Sequence, residues 1–409
     1  MRNRLINYDL LRIFAAYLIV MLHLSVQYIH QAPASYEAYS QWKVAIALSA
    51  FSRIGVPIFI MLSGLFLLNP NKNISILSIF TKYLPKIILI FLFWTFFYAF
   101  AEQDFYRQLF ESDFQFQHCW AAMDHTLFWQ SVLRGNYHMW YLYMLAGLYL
   151  ITPFVRIIAA HATTRQFVYF TVLCMGITFV TKFNEDVWHI KPIAQVLDTL
   201  SLTFVFGYAG YFLAGFFLDK LFGDSLFMKS FSCFKQPLHF ALKSQKEYYW
   251  RTLKYILNTI NKQDIVVYIL GIAAFIFTVF WTIQANPMFG FRVPELILFS
   301  NYSPTIFLMS FAVFTWTARW KDIRFPKVLR IMAKRLPQYM LLVYMLHPFI
   351  IVETRRSSIL METSTALSLP VNAFIIFLIS LFVSILLKQS YKILLRVIRG
   401  LFKWIIKFA

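Results

Sequence analysis

Charged residues are scarce in this chain. Asp, Glu, Lys and Arg make up 14% of its 409 residues, and hydrophobic residues make up 60%. A soluble domain of this size would carry about 25% charged residues, so the composition excludes an ordinary soluble enzyme. The net charge of +20 does not indicate a nucleic-acid partner. Nucleic-acid binders carry a basic face on a soluble module, whereas the basic residues here lie in short segments between apolar stretches.

Cysteines and the common catalytic motifs are also few or missing. The three cysteines are Cys119, Cys174 and Cys233. They fall in an outer loop, a membrane span and an inner loop of the predicted topology, so we expect no disulfide framework and no metal site. The sequence contains no Gly-x-Ser-x-Gly elbow, no P-loop and no His-Glu-x-x-His pair. The signatures of serine hydrolases, P-loop enzymes and zinc proteases are therefore lacking.

Long apolar stretches fill the sequence instead. A helix that spans a bilayer needs about 20 predominantly apolar residues. Ten stretches meet this requirement, namely 9–30, 44–68, 79–100, 137–158, 166–183, 197–218, 265–284, 301–319, 336–352 and 371–390. We therefore predict an all-α integral membrane protein with ten transmembrane helices and no soluble domain.

The basic residues orient these spans. If the N-terminus lies in the cytoplasm, most of the 38 Lys and Arg residues fall in cytoplasmic segments. This distribution follows the positive-inside rule and predicts that both termini are cytoplasmic. Residues 1–390 would form the membrane domain, and residues 391–409 a basic amphipathic cytoplasmic tail. Residues 246–262 and this tail are typical of surface helices that bind anionic membrane lipid.

Two polar residues share one face of the first span. Arg12 and His23 are eleven residues apart, so on a helix they point in nearly the same direction, about 16 Å apart along the axis. An arginine inside the hydrocarbon needs a polar cavity or a partner. A cation and a titratable imidazole at different depths indicate an anionic substrate and proton transfer. A packing pair that holds two helices together is the alternative interpretation.

Other polar residues lie within or beside later spans. The second span contains Arg53, followed by Pro57, which is expected to bend the helix. His347 lies in the outer half of the ninth span, at a depth comparable to that of His23. Together with Arg12, these residues predict a polar core among several helices.

The fourth span begins with polar and aromatic residues at the outer interface. They are His138, Trp140 and Tyr141. Aromatic belts are ordinary at this depth, so a membrane anchor is an equally good interpretation of Trp140. Tyr344, one turn before His347, is a further candidate for the same pocket.

These motifs together resemble acyltransferase family 3. The resemblance rests on the Arg and His of the first span, an Arg-x-x-Val-Pro-x-Phe run with Ser-Gly, a His-x-Trp-Tyr-Leu run and a late Tyr-x-x-His-Pro. The family comprises ten-helix membrane acyltransferases, many of which O-acetylate bacterial surface polysaccharides. The resemblance covers about residues 5–390. Within the family, the chain is most similar to stand-alone members of the enterobacterial common antigen O-acetyltransferase type.

The resemblance implies a reaction and a location. An acetyl group would pass from cytoplasmic acetyl-CoA to a hydroxyl of an extracytoplasmic or lipid-linked glycan, in the bacterial cytoplasmic (inner) membrane. Acetyl-CoA would be a donor substrate, with no permanently bound cofactor. A succinyl or longer acyl group, or non-enzymatic export of a lipid-linked saccharide, are the alternatives.

The residues are compatible with this reaction. Arg12 and Arg53 are the candidate donor-binding residues, because a guanidinium can hold CoA phosphates or a polarised carbonyl. His23 is the candidate general base for the acceptor hydroxyl. The remaining candidates are assigned to catalysis or to the acceptor pocket, namely His347 to catalysis and His138, Trp140, Tyr141 and Tyr344 to the pocket.

Overall fold

The structure is a computed structural model. It describes residues 5–30, 35–70, 74–103, 123–200, 207–223, 262–285, 296–320, 325–358 and 364–408, with the single residues 33, 72 and 360. The predicted surface helix at 246–262, most of the outer loop, Cys119 and Cys233 lie outside these residues. Within the described part, the chain forms helices and turns and no strand. The all-α prediction is therefore confirmed there.

Fourteen helices are numbered here along the described chain. They are α1 (Ile6–Ile29), α2 (Tyr36–Ser52), α3 (Gly55–Leu67), α4 (Ile76–Glu102), α5 (His125–Arg134), α6 (Trp140–His161), α7 (Thr164–Phe183), α8 (Lys191–Leu200), α9 (Ala209–Leu218), α10 (Lys262–Ala285), α11 (Pro304–Ala318), α12 (Lys327–Arg335), α13 (Met340–Arg356) and α14 (Thr365–Phe408).

Eight segments of the described chain are long and apolar enough to cross a membrane. They are α1, α2 with α3, α4, α6, α7, α10, α12 with α13, and α14. The other two predicted spans coincide with shorter apolar helices. One is α11, of 15 residues, and the other is α8 with α9, between which residues 201–206 are not described. The chain is a multi-pass membrane protein, and the count of ten and the orientation of the termini stay predictions.

The second span is broken at the position of its cation. Helix α2 ends at Ser52, and α3 begins at Gly55, so Arg53 lies at the break. Pro57 explains this position. A proline cannot donate a hydrogen bond to the carbonyl four residues earlier, and its ring clashes with that carbonyl. The carbonyl in question belongs to Arg53, so the predicted bend is a break that begins at this residue.

Helix α1 lies at the centre of the bundle. It contacts α2, α3, α11, α12, α13 and α14. Accordingly, 61% of the apolar stretch of α1 is buried inside the protein, whereas 22% of the corresponding stretch of α10 is buried. A buried central helix is the element through which several others can form one site, and α1 carries both Arg12 and His23.

The closest described helix crossing joins α3 to α9. A Cβ atom on Gly64 would lie 1.7 Å from the carbonyl oxygen of Phe212, and one on Gly215 would lie 1.8 Å from that of Met61. Both positions therefore require glycine. Gly210 of α9 packs closely against Cys174 of α7, where an added Cβ would lie 3.0 Å from the cysteine Cβ. Small residues allow such close approach of membrane helices.

The last helix continues beyond the predicted membrane segment. Helix α14 runs from Thr365 to Phe408 without a break, over 44 residues. The basic tail at 391–409 is thus helical in its described part. Its assignment as a separate cytoplasmic surface segment remains a prediction.

Candidate active site

Three histidines from three separate parts of the chain meet at one end of α1. The ring centroids of His23 and His347 are 5.0 Å apart, and those of His138 and His347 are 5.8 Å apart. Side chains of His138 and His347 are buried, with 1% and 0% of their surface exposed. His23 is half-buried. The structure thus brings together three histidines that the sequence marks as separate candidates.

A glycine turn places His138 in this cluster. Helix α5 ends at Gly135, whose φ of 69° lies in the left-handed region that favours glycine. The chain turns there and enters α6 after residues 136–139. Asn136, Tyr137 and His138 therefore lie over the ends of α1 and α13. Tyr137 contacts both His23 and His138, with ring centroids 5.3 and 5.5 Å apart.

Hydrogen bonds connect the cluster to α4 and α13. The hydroxyl of Tyr344 donates to the carbonyl oxygen of His138 at 2.5 Å. The hydroxyl of Tyr98 donates to the carbonyl oxygen of Met345, also at 2.5 Å. These bonds hold the start of α6 and the end of α4 against α13. The cluster is therefore rigidly placed, as a preorganised site requires.

Two of the imidazoles keep an unpaired nitrogen. Nδ1 of His347 lies 2.7 Å from the carbonyl oxygen of Tyr344. A carbonyl oxygen only accepts, so Nδ1 must donate, and Nε2 of a neutral ring then carries a lone pair. Among the described residues, Nε2 of His347 and Nε2 of His138 are both buried without a hydrogen-bond partner. Unpaired buried polar atoms are costly and point to a function.

The histidine cluster is suited to proton transfer. A neutral imidazole can accept a proton on one nitrogen and donate one from the other, so neighbouring imidazoles can accept and pass on a proton. In the part of the chain that the structure describes, no group of three His, Cys, Asp or Glu side chains has the geometry to hold a metal ion.

Arg53 lies beside the histidine cluster. Its Nη1 donates to the carbonyl oxygen of Phe299 at 2.7 Å, and its guanidinium carbon lies 4.9 Å from the centroid of the Phe299 ring. The guanidinium also acts electrostatically on His23. Its buried Nε has no hydrogen-bond partner among the described residues. The break after α2 thus places a half-buried guanidinium, whose Nε–H has no partner among the described residues, close enough to act on His23.

The opposite end of α1 carries further cations. The guanidinium carbon of Arg12 lies 5.1 Å from the centroid of the Phe66 ring, and Nζ of Lys72 lies 5.2 Å from the same centroid. Arg156 donates hydrogen bonds to the carbonyl oxygens of Leu67, Asn69 and Lys72 at 2.5 to 3.0 Å. This clamp holds the turn that follows α3. Arg12, Lys72 and the clamped turn form what we call the cationic end.

Aromatic side chains connect the two ends of α1. Arg12 acts electrostatically on the hydroxyl of Tyr141. The rings of Tyr141 and Tyr344 are 5.2 Å apart, and those of Tyr344 and His347 are 5.7 Å apart. Arg12 and His23 are thus linked through side chains of α6 and α13.

A cavity of about 250 Å³ opens beside the histidine cluster, on the side away from the cationic end. It is lined by Tyr98 and Tyr137, which contact the cluster, and by the residue after His347. The rest of its wall is mixed, with the apolar side chains of Phe349, Ile351 and Val352 beside polar ones, namely Gln27, Glu102, Asn136, Glu353 and Arg356. Amides, carboxylates and aromatic faces are the groups that bind a hydroxyl-rich molecule.

Trp140 lies apart from the histidines. Its ring stacks on Tyr208 at 5.5 Å, with 24° between the planes, and 36% of its surface is exposed. Tyr208 in turn contacts Tyr302 at 4.9 Å. This position joins α6 to the segments before α9 and α11. A packing or interfacial role therefore explains Trp140 as well as a pocket role does.

The sequence alone does not identify several of these residues. Tyr98, Asn136 and Tyr137 come from the ends of elements next to the outer loop, where aromatic and polar residues are ordinary. Lys72 and Arg156 belong to the basic residues that the positive-inside rule already explains. Only their contacts with the histidine cluster, or with Phe66 and the turn after α3, separate these side chains from their neighbours.

Comparison with known proteins gives the family of the chain. No curated protein and no solved structure shows a significant match. The family model of acyltransferase family 3, described as an acyltransferase domain, matches residues 5–389, which include both ends of α1 and all three clustered histidines. The chain therefore belongs to acyltransferase family 3 and is a membrane acyltransferase.

Proposed function

We propose that the protein transfers an acetyl group from cytoplasmic acetyl-CoA to a hydroxyl of an extracytoplasmic or lipid-linked glycan. The observation that carries this proposal is the separation of two kinds of chemistry along α1. Imidazoles with unpaired nitrogens lie at one end, beside a cavity with both polar and apolar walls, and cations lie at the other end.

The cationic end is the proposed binding site for the CoA phosphates. Arg12 offers a planar fork of N–H donors suited to phosphate oxygens. Lys72 lies on the same ring as Arg12 and adds a second positive charge. The clamp made by Arg156 keeps the Lys72 turn in position. With the N-terminus in the cytoplasm, this end faces the compartment that contains acetyl-CoA.

The acyl group would lie beside His23 and Arg53. His23 is the proposed general base, since it is the half-buried member of the cluster. It takes the proton of the acceptor hydroxyl while the hydroxyl oxygen bonds to the thioester carbonyl carbon. The carbon–sulfur bond then breaks, and the CoA thiolate takes up the proton. Arg53, which lies beside His23 rather than Arg12, stabilises the negative charge on the carbonyl oxygen.

The acceptor would enter from the cavity of about 250 Å³. Its volume is close to the lower limit of ordinary ligand pockets, so a single sugar residue would be held at the histidines. The exposed ring of Tyr137 forms part of the wall of this cavity and part of the wall of a neighbouring cavity. A longer glycan would extend toward that second cavity.

The decisive experiment uses purified protein in nanodiscs with labelled acetyl-CoA and a bacterial lipid-linked saccharide fraction. We expect donor-dependent labelling of the saccharide and a mass increase of one acetyl group. Repeating the reaction with succinyl-CoA tests the donor. If folded protein that binds CoA moves intact saccharide across the bilayer and labels none of it, the protein is an exporter.

A further inference from the structure

A second polar chain leads to the histidine cluster from the outer surface. Nδ1 of His138 lies 2.9 Å from Oδ1 of Asn136. Nδ2 of Asn136 lies 3.3 Å from Oε1 of Glu102. The other carboxylate oxygen, Oε2, accepts a hydrogen bond from the Ser131 hydroxyl at 2.6 Å. A carboxylate is thus joined to an active-site imidazole through one side-chain amide.

The direction of these hydrogen bonds follows from donor and acceptor chemistry. An ionised carboxylate only accepts, so the amide nitrogen of Asn136 must face Glu102. The amide oxygen of Asn136 then faces His138, and an amide oxygen only accepts. Nδ1 of His138 must therefore carry the proton. Flipping the amide would place two acceptors against each other at Glu102, which is why this orientation is the favoured one.

The chain leaves Nε2 of His138 as the unprotonated nitrogen. That atom is buried and has no hydrogen-bond partner among the described residues. The carbonyl oxygen of Met345 acts electrostatically on the ring and accepts the Tyr98 hydroxyl at 2.5 Å, but no hydrogen bond joins it to Nε2 of His138. His347 has the same arrangement, because a backbone carbonyl accepts from its Nδ1. Both buried imidazoles of the cluster then present a lone pair and no N–H at Nε2.

We propose that Glu102 and Asn136 are positioning residues that hold His138 in its Nδ1–H tautomer. The tautomer follows from the hydrogen bonds alone, whereas its effect on catalysis rests on the proposed function. Two acceptor nitrogens beside His23 stabilise the proton that His23 takes from the hydroxyl, until the CoA thiolate removes it. The reverse tautomer would place an N–H in the cluster and oppose that proton. Asn136 contacts His138, and Glu102 acts on His138 through Asn136.

The direct test is solid-state NMR of the protein labelled with ¹⁵N-histidine in nanodiscs, without substrate. His138 signals are identified by their loss in His138→Gln. We expect His138 in the Nδ1–H form in the wild-type protein and a mixture or the Nε2–H form in Asn136→Ala. Asn136→Asp combined with Glu102→Gln keeps an oxygen acceptor for Nδ1 and an N–H donor opposite the other oxygen, so this double variant should retain the Nδ1–H form. A wild-type His138 mainly in the Nε2–H form would overturn the proposal, as would a tautomer that does not change in Asn136→Ala.

Turnover gives the second readout, with acetyl-CoA as donor and thiol release as the signal. Asn136→Ala should lower kcat roughly tenfold and leave the KM for acetyl-CoA unchanged, since base catalysis contributes about 10² to 10⁴-fold in total. The double variant Asn136→Asp with Glu102→Gln should lose less. Gln284→Ala is the matched control, because it removes an exposed amide near the end of α10 that lines neither cavity beside the cluster. If the tautomer behaves as expected but no acyl transfer occurs, the proposed function fails and the positioning chain stands.

Discussion

The two ends of α1 differ in the chemistry that their polar groups allow. At the histidine end, buried nitrogens lack partners in the described structure and can take up a proton. At the cationic end, Arg12 and Lys72 lie on one aromatic ring, and a third cation clamps the turn between helices. The first arrangement is suited to chemistry and the second to holding a fixed charge. Variants at the two ends should therefore separate kcat from KM.

The largest effect is expected at the histidine end. His23→Ala should lower kcat by about 10² to 10⁴-fold, because a sugar hydroxyl is a poor nucleophile without a base. His23→Gln should not restore activity, since an amide does not take up a proton. Donor binding should be unchanged. Steady-state kinetics with labelled acetyl-CoA measures both quantities.

His161→Ala is the control for removal of an imidazole, because His161 lies exposed at the end of α6. Near-normal turnover in His23→Ala would exclude His23 as base and move that role to His347 or His138. Label trapped on His23 in the absence of acceptor would replace base catalysis by a covalent acyl-histidine.

The next largest effect is expected at the close contact between α3 and α9. Gly64→Ala should destabilise the protein by about 1 to 3 kcal/mol, because the added methyl group would overlap the Phe212 carbonyl. Since α3 also carries Phe66, a shifted helix would weaken donor binding. Gly147→Ala is the matched control in α6, where a Cβ meets no other atom. Thermal unfolding in detergent compares the two variants, and equal melting temperatures would contradict the close α3–α9 contact.

Arg12 tests the cationic end. Arg12→Lys keeps a charge but loses the planar fork, so the KM for acetyl-CoA should rise roughly tenfold while kcat is largely retained. Arg330→Lys is the control, since Arg330 is exposed on α12. Binding of CoA to the folded variant is measured by calorimetry. Unchanged CoA affinity in Arg12→Ala would remove Arg12 from the donor site.

The smallest effect is expected for Lys72. Lys72→Met keeps an apolar stem on Phe66 and removes one charge, so the KM for acetyl-CoA should rise about threefold at low salt, as expected for one partly exposed charge. The difference from wild type should shrink as ionic strength rises. Lys327→Met, an exposed lysine of α12, is the control. A change in kcat without a change in KM would place Lys72 outside the donor site.

Periodicity and hydropathy predict the helices well, because each membrane segment must satisfy its own backbone hydrogen bonds and bury an apolar surface. Nine of the ten predicted spans coincide with a single described segment, and the tenth, at 197–218, is only partly described. The break at Arg53 follows from local chemistry too, since Pro57 removes the hydrogen bond to that carbonyl. The sequence predicts only a bend at this position, whereas in the structure α2 and α3 are separate helices.

The sequence predicts individual residues of the candidate site, but it does not predict which of them lie together. Arg12, His23, Arg53 and His347 are conspicuous because charged and titratable groups are expensive in hydrocarbon. Their division into two groups is not visible in the sequence. Arg53 is predicted to bind the donor with Arg12, and in the structure it lies beside His23. Depth along a span does not reveal which neighbouring helix a side chain faces.

The sequence by itself determined that this is a helical membrane protein with an arginine and a histidine on one helix, and its motifs indicated the family. These properties depend on hydropathy and on spacing within single segments. The tertiary structure decided that three histidines meet, that Lys72 joins Arg12 on Phe66, and that Asn136 links Glu102 to His138. Those contacts join residues from separate segments, and helix packing in a membrane is set by shape and by a few polar contacts that local patterns do not encode.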